Sequence, residues 1–384
     1  EIAGRGNLVR VVRHEGFQIV EVAARRWIFD PDTMRWVDPG VRFKRLLALI
    51  ETDHMGICML DLSRISGGDE HWRMCRGLEG SFAQVGVKPQ PISGTLAGNL
   101  IGRGDTENIH HRDHAGLAWM DSVEQLEAGG PMGQWLSRHD SNARLDLHQL
   151  YVSDGTQLKS ARATAVMDKP DRSRYDYRAL AWHRSNTGLE TTRIDLLFEP
   201  HLGKSTIADA GIVHAEAQDD NATGVFFETN QGREFSVYWA PGKEAHEETI
   251  FANGLELRGA LAVVESNKVT VAGSNGLMWK AVAVGSPPGR QQGTIVALDR
   301  RDCWIDVTGI TAISRGDRIS VNPLGRAHTY VVTAVNQQNN SQLRLYLDMG
   351  SVHGHARITD ISGLRVELDS HIITRTGTLH DTRL

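Results

Sequence analysis

The stretch VRFKRLLALI (residues 41–50) decides the fold class, and two further segments extend it. MGICMLDL (residues 55–62) follows after a short break, and GGDEHW (residues 67–72) comes next. Short apolar runs bounded by glycine and acidic residues are typical of buried β-strands. We therefore predict two consecutive strands that end at a hairpin tip.

The same pattern extends along most of the chain. Apolar and polar residues alternate in FQIVEV (17–22), VFFET (225–229), EFSVYW (234–239) and LRLYL (343–347). Alternation with a period of two places one face of a strand on a core and the other in water. The fold class is therefore predicted to be all-β, with a large antiparallel β-sandwich followed by a small C-terminal β domain.

Turns and one helix are predicted between the strands. The triplets at 230–232, 252–254 and 274–276 each end in glycine, which favours tight turns. Residues 120–128 are predicted to form a short helix with Ser122 as its N-cap, because Gly129 and Gly130 follow as a stop signal.

A linker is predicted near SPPGRQQG (residues 286–293), where prolines and glycines interrupt strand pairing. The expected organisation is a β-sandwich over 1–285, a small β domain over 293–368 and a tail over 369–384. The chain opens at Glu1 directly in strand-like sequence, so it is expected to be a mature or truncated piece of a longer protein.

Composition excludes several function classes. The chain has 384 residues and a formal net charge of −5, whereas a nucleic-acid binder normally carries a basic excess. No apolar stretch is long enough for a membrane span. A nucleophile elbow, a phosphate-binding loop and a dinucleotide fingerprint are also missing from the sequence.

Two tryptophans flanked by arginines are the predicted substrate-binding group. Arg25, Trp27, Arg35 and Trp36 combine cationic and aromatic side chains, which suit an anionic glycan because an indole stacks on a sugar ring. A rigid hairpin loop explains the same residues equally well.

Histidines supply two further candidates. His110, Asp113 and His114 are possible ligands of zinc or a similar divalent metal, although a polar loop explains the segment too. His71 follows two carboxylates that could raise its pKa, and the alternative is a histidine that orders the hairpin turn.

Several segments together resemble the sheet domain of the heparinase II/III-like polysaccharide lyases. These are FKR (43–45), MLD (59–61) and GDEHW (68–72), followed by AWHRS (181–185) and TTRIDLLFEP (191–200). In that family, a basic-aromatic pair opens one strand and an aspartate closes the next. A later strand pair starts at His-Arg and closes on Glu-Pro.

The resemblance implies β-elimination of a uronate-containing acidic polysaccharide by a secreted or periplasmic protein. Such an enzyme must neutralise a carboxylate and remove the proton next to it. The family's own catalytic motifs are not found in this sequence, so no catalytic residue is transferred. The resemblance implies that the catalytic groups lie largely on a missing N-terminal helical toroid, with others on early sheet strands, and that a divalent metal such as zinc belongs to the full-length enzyme. This chain alone is expected to be inactive or nearly so.

Two alternatives remain open. One is a non-catalytic carbohydrate-binding β-sandwich module, and the other is a hydrolase that uses the loop from His110 to His114 as a metal site. The upstream sequence and a metal analysis would distinguish these readings.

Overall fold

The computed structural model describes residues 2–14, 16–30, 32–52, 56–77, 80–107, 112–166, 174–185, 187–188, 190–216, 221–243, 247–266, 268–279, 282–284, 291–299, 302–310, 313, 315, 318–322, 328–339, 341–348, 365–369 and 373–376. These residues form strands and one 3₁₀ helix, Arg112–Trp119, which confirms the predicted all-β class. The residues described include no helix that is long and apolar enough to cross a membrane.

The strands are, in chain order, β1 Ile2–His14, β2 Phe17–Asp30, β3 Arg35–Val37, β4 Arg42–Glu51, β5 Ile57–Ser66, β6 Glu70–Arg76, β7 Gly80–Gln84, β8 Gln90–Ile92, β9 Asp121–Leu126, β10 Gly133–Ser137, β11 Ala143–Val152, β12 Gln157–Val166, β13 Arg174–Ser185, β14 Thr192–Leu202, β15 Ile207–His214, β16 Thr223–Thr229, β17 Glu234–Trp239, β18 Glu248–Ile250, β19 Leu255–Glu265, β20 Lys268–Trp279, β21 Val282–Val284, β22 Gln291–Asp299, β23 Trp304–Thr308, β24 Arg318–Asn322, β25 His328–Asn339, β26 Gln342–Leu347, β27 Arg365–Asp369 and β28 Ile373–Thr376.

The chain divides into two compact units. The first comprises Glu1–Ala3, Arg25–Gly211 and Glu228–Gly232, and the second comprises Gly4–Ala24, Ile212–Phe227 and Arg233–Leu384. The domain boundaries expected from the sequence stay a prediction.

The first unit is a sandwich of two sheets. Its larger sheet has the order β2-β4-β5-β14-β11-β10-β7, with β3 beside β2, and its smaller sheet has the order β6-β13-β12-β9-β8. Leu147, Leu196 and Phe198 of the larger sheet pack with Leu158 and Trp182 of the smaller sheet in one buried cluster. This cluster is the core of the sandwich.

Strand β14 lies at the centre of the larger sheet and is buried on both faces. The eight residues from Thr192 to Glu199 are all buried, although they include Arg193 and Asp195. A buried charge is tolerated only when it is paired and hydrogen-bonded. The charged residues of β14 must therefore have charged partners on the neighbouring strands.

The second unit contains an eight-stranded sheet and a closed barrel. The sheet has the order β15-β16-β17-β19-β20-β21, with β18 beside β19 and β28 beside β20. Strands β22-β23-β26-β25-β24-β27 close the barrel, which packs Ile295, Val307 and Leu345 inside.

Two of the three predicted turns are confirmed. The amide of Gly232 donates to Thr229 O and the amide of Gly254 donates to Phe251 O, with φ angles of 78° and 77° that favour glycine. The turn predicted at 274–276 is wrong. This segment lies inside β20, where Arg258 pairs with Gly276 and Gly259 with Ser274, so the asparagine and glycine mark a bulge.

The helix predicted over 120–128 is also wrong, because the segment forms β9. The buried residues Val123 and Leu126 are spaced as on a helix, but Leu126 pairs with Leu158 of β12. Val123 packs with Ala161 and Ala181 on the outward face of the smaller sheet, whereas Leu126 packs in the sandwich core, so the two residues are buried on opposite faces of one strand. Tertiary pairing overrode the local helix signal.

Candidate functional site

The predicted substrate-binding residues belong to the β2–β3 hairpin. Strand β3 pairs with the end of β2, so that Trp36 lies opposite Phe29 and Arg35 opposite Asp30. The side chains of Arg25 and Arg35 are exposed, whereas those of Trp27 and Trp36 lie outside the described residues. Saccharide binding at this hairpin stays a prediction.

The predicted metal ligands cannot be placed together. His110 lies outside the described residues, and so do the side chains of Asp113 and His114, whose backbone belongs to the 3₁₀ helix. Among the side chains that are described, no group of three histidines, cysteines or carboxylates could hold a metal ion. The metal site therefore stays a prediction, and no chemistry is derived from it.

Two of the segments that carry the family resemblance, GDEHW and the start of TTRIDLLFEP, meet at the hairpin tip. His71 accepts or donates a hydrogen bond at Nδ1 with Thr192 Oγ1, 2.6 Å away, and its Nε2 lies 2.9 Å from Gly67 O. Thr187 Oγ1 donates to Gly68 O at 2.6 Å. The hairpin tip is thus fastened to the start of β14.

His71 orders the turn, as one of its two predicted roles required. The expectation of a raised pKa is wrong: burial lowers the pKa of His71, and the nearby Arg184 lowers it further, while the bond to Gly67 O opposes the change. The imidazole is buried, and it hydrogen-bonds neutral groups rather than the adjacent carboxylates. Its role is structural.

Asp61 joins the two sheets of the sandwich. Arg45 of β4 donates to both oxygens of Asp61, at 2.8 and 2.7 Å, and Arg73 of β6 donates to Asp61 Oδ2. Strands β4 and β5 belong to the larger sheet and β6 to the smaller sheet. We call these three residues the inner triad, because they lie on the side of the larger sheet that faces the smaller one.

A second triad lies on the opposite face of the larger sheet. Arg64 of β5 donates to Asp195 Oδ1 at 2.5 Å, and Arg193 Nε donates to Asp195 Oδ2 at 2.7 Å. The Arg193 guanidinium also lies 4.2 Å from the ring centre of Tyr151. We call Arg64, Asp195 and Arg193 the outer triad.

Glu199 lies on the same outer face, four residues after Asp195 on β14. It accepts hydrogen bonds from the backbone and hydroxyl of Thr206 and from the hydroxyl of Ser205, and His148 Nε2 lies 3.5 Å from Oε2. Burial raises the pKa of Glu199, but these partners outweigh burial and lower the pKa to about 2. Glu199 is therefore an anion at neutral pH, and it holds the β14–β15 connection through these bonds.

A polar cluster on the outward face of the smaller sheet is the strongest candidate for ligand contact. His183 Nε2 lies 2.6 Å from Glu70 Oε1, and the imidazole stacks on Trp72 with ring centres 4.0 Å apart. Burial lowers the pKa of Lys159, and Glu70 opposes the change. An oriented imidazole, a carboxylate and an ammonium group side by side offer both donors and acceptors to a polar ligand.

No local pattern in the sequence points to this cluster. Glu70 and His183 are 113 residues apart, and Lys159 lies on a third strand. His183 pairs with Trp72 in the β6–β13 ladder, which brings the two family-like segments GDEHW and AWHRS side by side. The only available signal was the position of both segments within the resemblance.

Comparisons with known proteins do not assign a family. No family model matches the chain, and no curated protein matches it. Among solved structures, the chain is similar to heparan sulfate lyase HepC from Pedobacter heparinus, with 11% identity and a TM-score of 0.37. That match covers 64% of this chain and 29% of HepC, so the chain spans less than a third of that protein. A likeness this weak carries no argument about activity.

Proposed function

We propose that this chain is the sheet region of a polysaccharide lyase acting on uronate-containing acidic polysaccharide, and that it forms a wall of the saccharide cleft. The supporting observation is that the separate family-like segments form one bonded unit. GDEHW and AWHRS are neighbouring strands, and His71 and Thr187 fasten the hairpin tip. A secreted or periplasmic location belongs to the same proposal.

The eliminating groups are proposed to lie outside these strands. Elimination needs a cation that neutralises the uronate carboxylate and a tyrosine or histidine base beside it, both open to substrate. In the described part of the resembling strands, the outer triad is closed, Tyr151 lies against Arg193, His71 is buried on neutral partners and His183 is bonded to Glu70. These groups support a scaffold role.

The cluster of Glu70, Lys159 and His183 is the proposed saccharide contact. Lys159 and His183 are half-buried and Glu70 is exposed, and the stack on Trp72 orients the imidazole, which suits a ligand rich in hydroxyl groups. The same cluster favours the second candidate function, a non-catalytic carbohydrate-binding module. Eliminating activity in a longer product of the same gene would distinguish the lyase from the module.

The test combines binding with turnover. The migration of the purified chain should be retarded in native gels that contain a uronate polysaccharide. The chain should nevertheless release no unsaturated product detectable by ultraviolet absorbance. Glu70→Gln should weaken binding several-fold, because His183 loses its charged partner. Glu190→Gln is the matched control, since Glu190 is an exposed carboxylate bonded to Arg184.

Two results would overturn the proposal. Sustained product release by this chain would show that it contains the eliminating groups. If no uronate polysaccharide retards the chain, the claim that it binds such a polysaccharide is wrong.

A further inference from the structure

The inner triad carries one more positive charge than negative charge. Arg45 and Arg73 share the single carboxylate of Asp61, and the neighbouring Ser63 hydroxyl, 3.4 Å from Asp61 Oδ1, is neutral. Burial raises the pKa of the nearby Cys75 thiol to about 11, so no thiolate balances the excess at neutral pH. The described groups around Asp61 therefore leave a net charge of about +1.

One donor of the triad is buried without a partner. Arg73 donates through Nη1 to Met74 O and through Nη2 to Asp61, but its Nε has no hydrogen-bond partner in the described part of the chain. An arginine stays protonated in proteins, and a buried donor left unbonded is costly. An additional acceptor would remove this cost.

The inner triad is also open to solvent on one side. The Arg45 side chain is 28% exposed, whereas Asp61 and Arg73 are 1% and 10% exposed. In the outer triad the corresponding arginines are only 2% and 7% exposed. A ligand could therefore reach the inner triad from the side of Arg45.

We propose that the inner triad is a binding site for an oxyanion of the carboxylate or sulfate type, held mainly by Arg45. Asp61 occupies the Nε–Nη2 edge of Arg45, so the oxyanion would accept hydrogen bonds from Nη1 and from the second N–H of Nη2. A singly charged group, a carboxylate or a sulfate ester, would bring the local charge back to neutral. The proposal rests on the proposed function only for the source of the oxyanion, which is an acidic group on the polysaccharide.

Inorganic sulfate is the probe that tests the site itself. Equilibrium dialysis of the whole chain with radiolabelled sulfate should show one saturable site. Arg45→Gln should weaken that binding at least about tenfold, the size of one charge-assisted hydrogen bond. Arg45→Lys should weaken it less, because the charge remains.

Arg42→Gln is the matched control, because Arg42 lies on the same strand and pairs with the exposed Asp38. It should leave sulfate binding unchanged. Circular dichroism and the midpoint of thermal unfolding establish whether each variant is folded. If Arg45→Gln does not fold, Arg45→Lys still allows the comparison with the native chain.

A second arm tests the source of the oxyanion. A sulfated glycosaminoglycan oligosaccharide and a polyuronate oligosaccharide should compete with sulfate, whereas neutral dextran should not. Absence of saturable sulfate binding, or equal binding by Arg45→Gln, would overturn the site. Sulfate binding without competition by either oligosaccharide would overturn only the claim that the oxyanion belongs to a polysaccharide. The proposed function is tested separately, by gel retardation that depends on Glu70.

Discussion

The inner and outer triads have the same composition but different surroundings. Each places two arginines on one aspartate, and each uses strand β5. The outer triad is closed, since Asp195 is fully buried and Tyr151 lies against Arg193. The inner triad joins two sheets and leaves Arg45 in contact with solvent.

This difference in exposure favours a structural role for the outer triad and a binding role for the inner triad. Arg64 and Arg193 lie directly opposite each other on neighbouring strands, where like charges repel unless a carboxylate lies between them. Asp195 therefore stabilises the pairing of β5 with β14 by lying between the two guanidinium groups. Asp61 compensates less buried charge, because Arg45, one of its two arginines, is partly solvated.

The largest expected effect is on the outer triad. Asp195→Asn should lower the free energy of unfolding by about 4 kcal/mol, because it leaves two buried guanidinium groups without their anion. Urea denaturation measures the change. Asp176→Asn, at an exposed aspartate of the same sandwich bonded to Thr164, should change stability by less than about 0.5 kcal/mol. Similar losses in both variants would contradict the closed character of the outer triad.

An intermediate effect is expected for Glu199, an anion on the outer face held by N–H and O–H donors instead of arginine. Its pKa is lowered to about 2 from an ordinary 4.5, so its contribution is complete above pH 4.5 and is lost as the pH falls towards 2. The native chain should lose about 3 kcal/mol more than Glu199→Gln across that range. Urea unfolding at several pH values measures this difference, and parallel curves for the two proteins would refute it.

The smallest effect is expected for the inner triad. Asp61→Asn should lower the free energy of unfolding by about 2 kcal/mol, because Arg45 regains water while Arg73 stays buried. The variant should also bind inorganic sulfate more tightly than the native chain, since the local charge rises. A loss as large as that of Asp195→Asn, without tighter sulfate binding, would erase the distinction between the two triads.

Much of the fold was predictable from local pattern, and the failures have a common cause. The alternation in EFSVYW and LRLYL identified β17 and β26, because a strand with one buried face must alternate. Strand β14 hides that signal, since both of its faces are buried. Strand β9 imitates a helix for the same reason, because Val123 and Leu126 are buried on opposite faces of the strand and so have a helical spacing.

The candidate site was less predictable than the fold. Arg25, Trp27, Arg35 and Trp36 were chosen because they are close in sequence, and the structure describes exposed side chains for the two arginines. Glu70, Lys159 and His183 come from three strands and show no common local pattern. Sequence proximity is a weak guide in an antiparallel sandwich, where neighbouring strands are often distant along the chain.

The sequence by itself determined that the chain is all-β and that certain segments resemble a lyase sheet domain, because both properties depend on short local runs of residues. Only the tertiary structure decided what the charged residues of those segments do. Arg45, Asp61 and Arg73 form an open triad while Arg64, Asp195 and Arg193 form a closed one, and the two sets share the same residue types. The physical reason is that the role of a charge depends on its partners and its exposure, which are fixed when distant strands pack together.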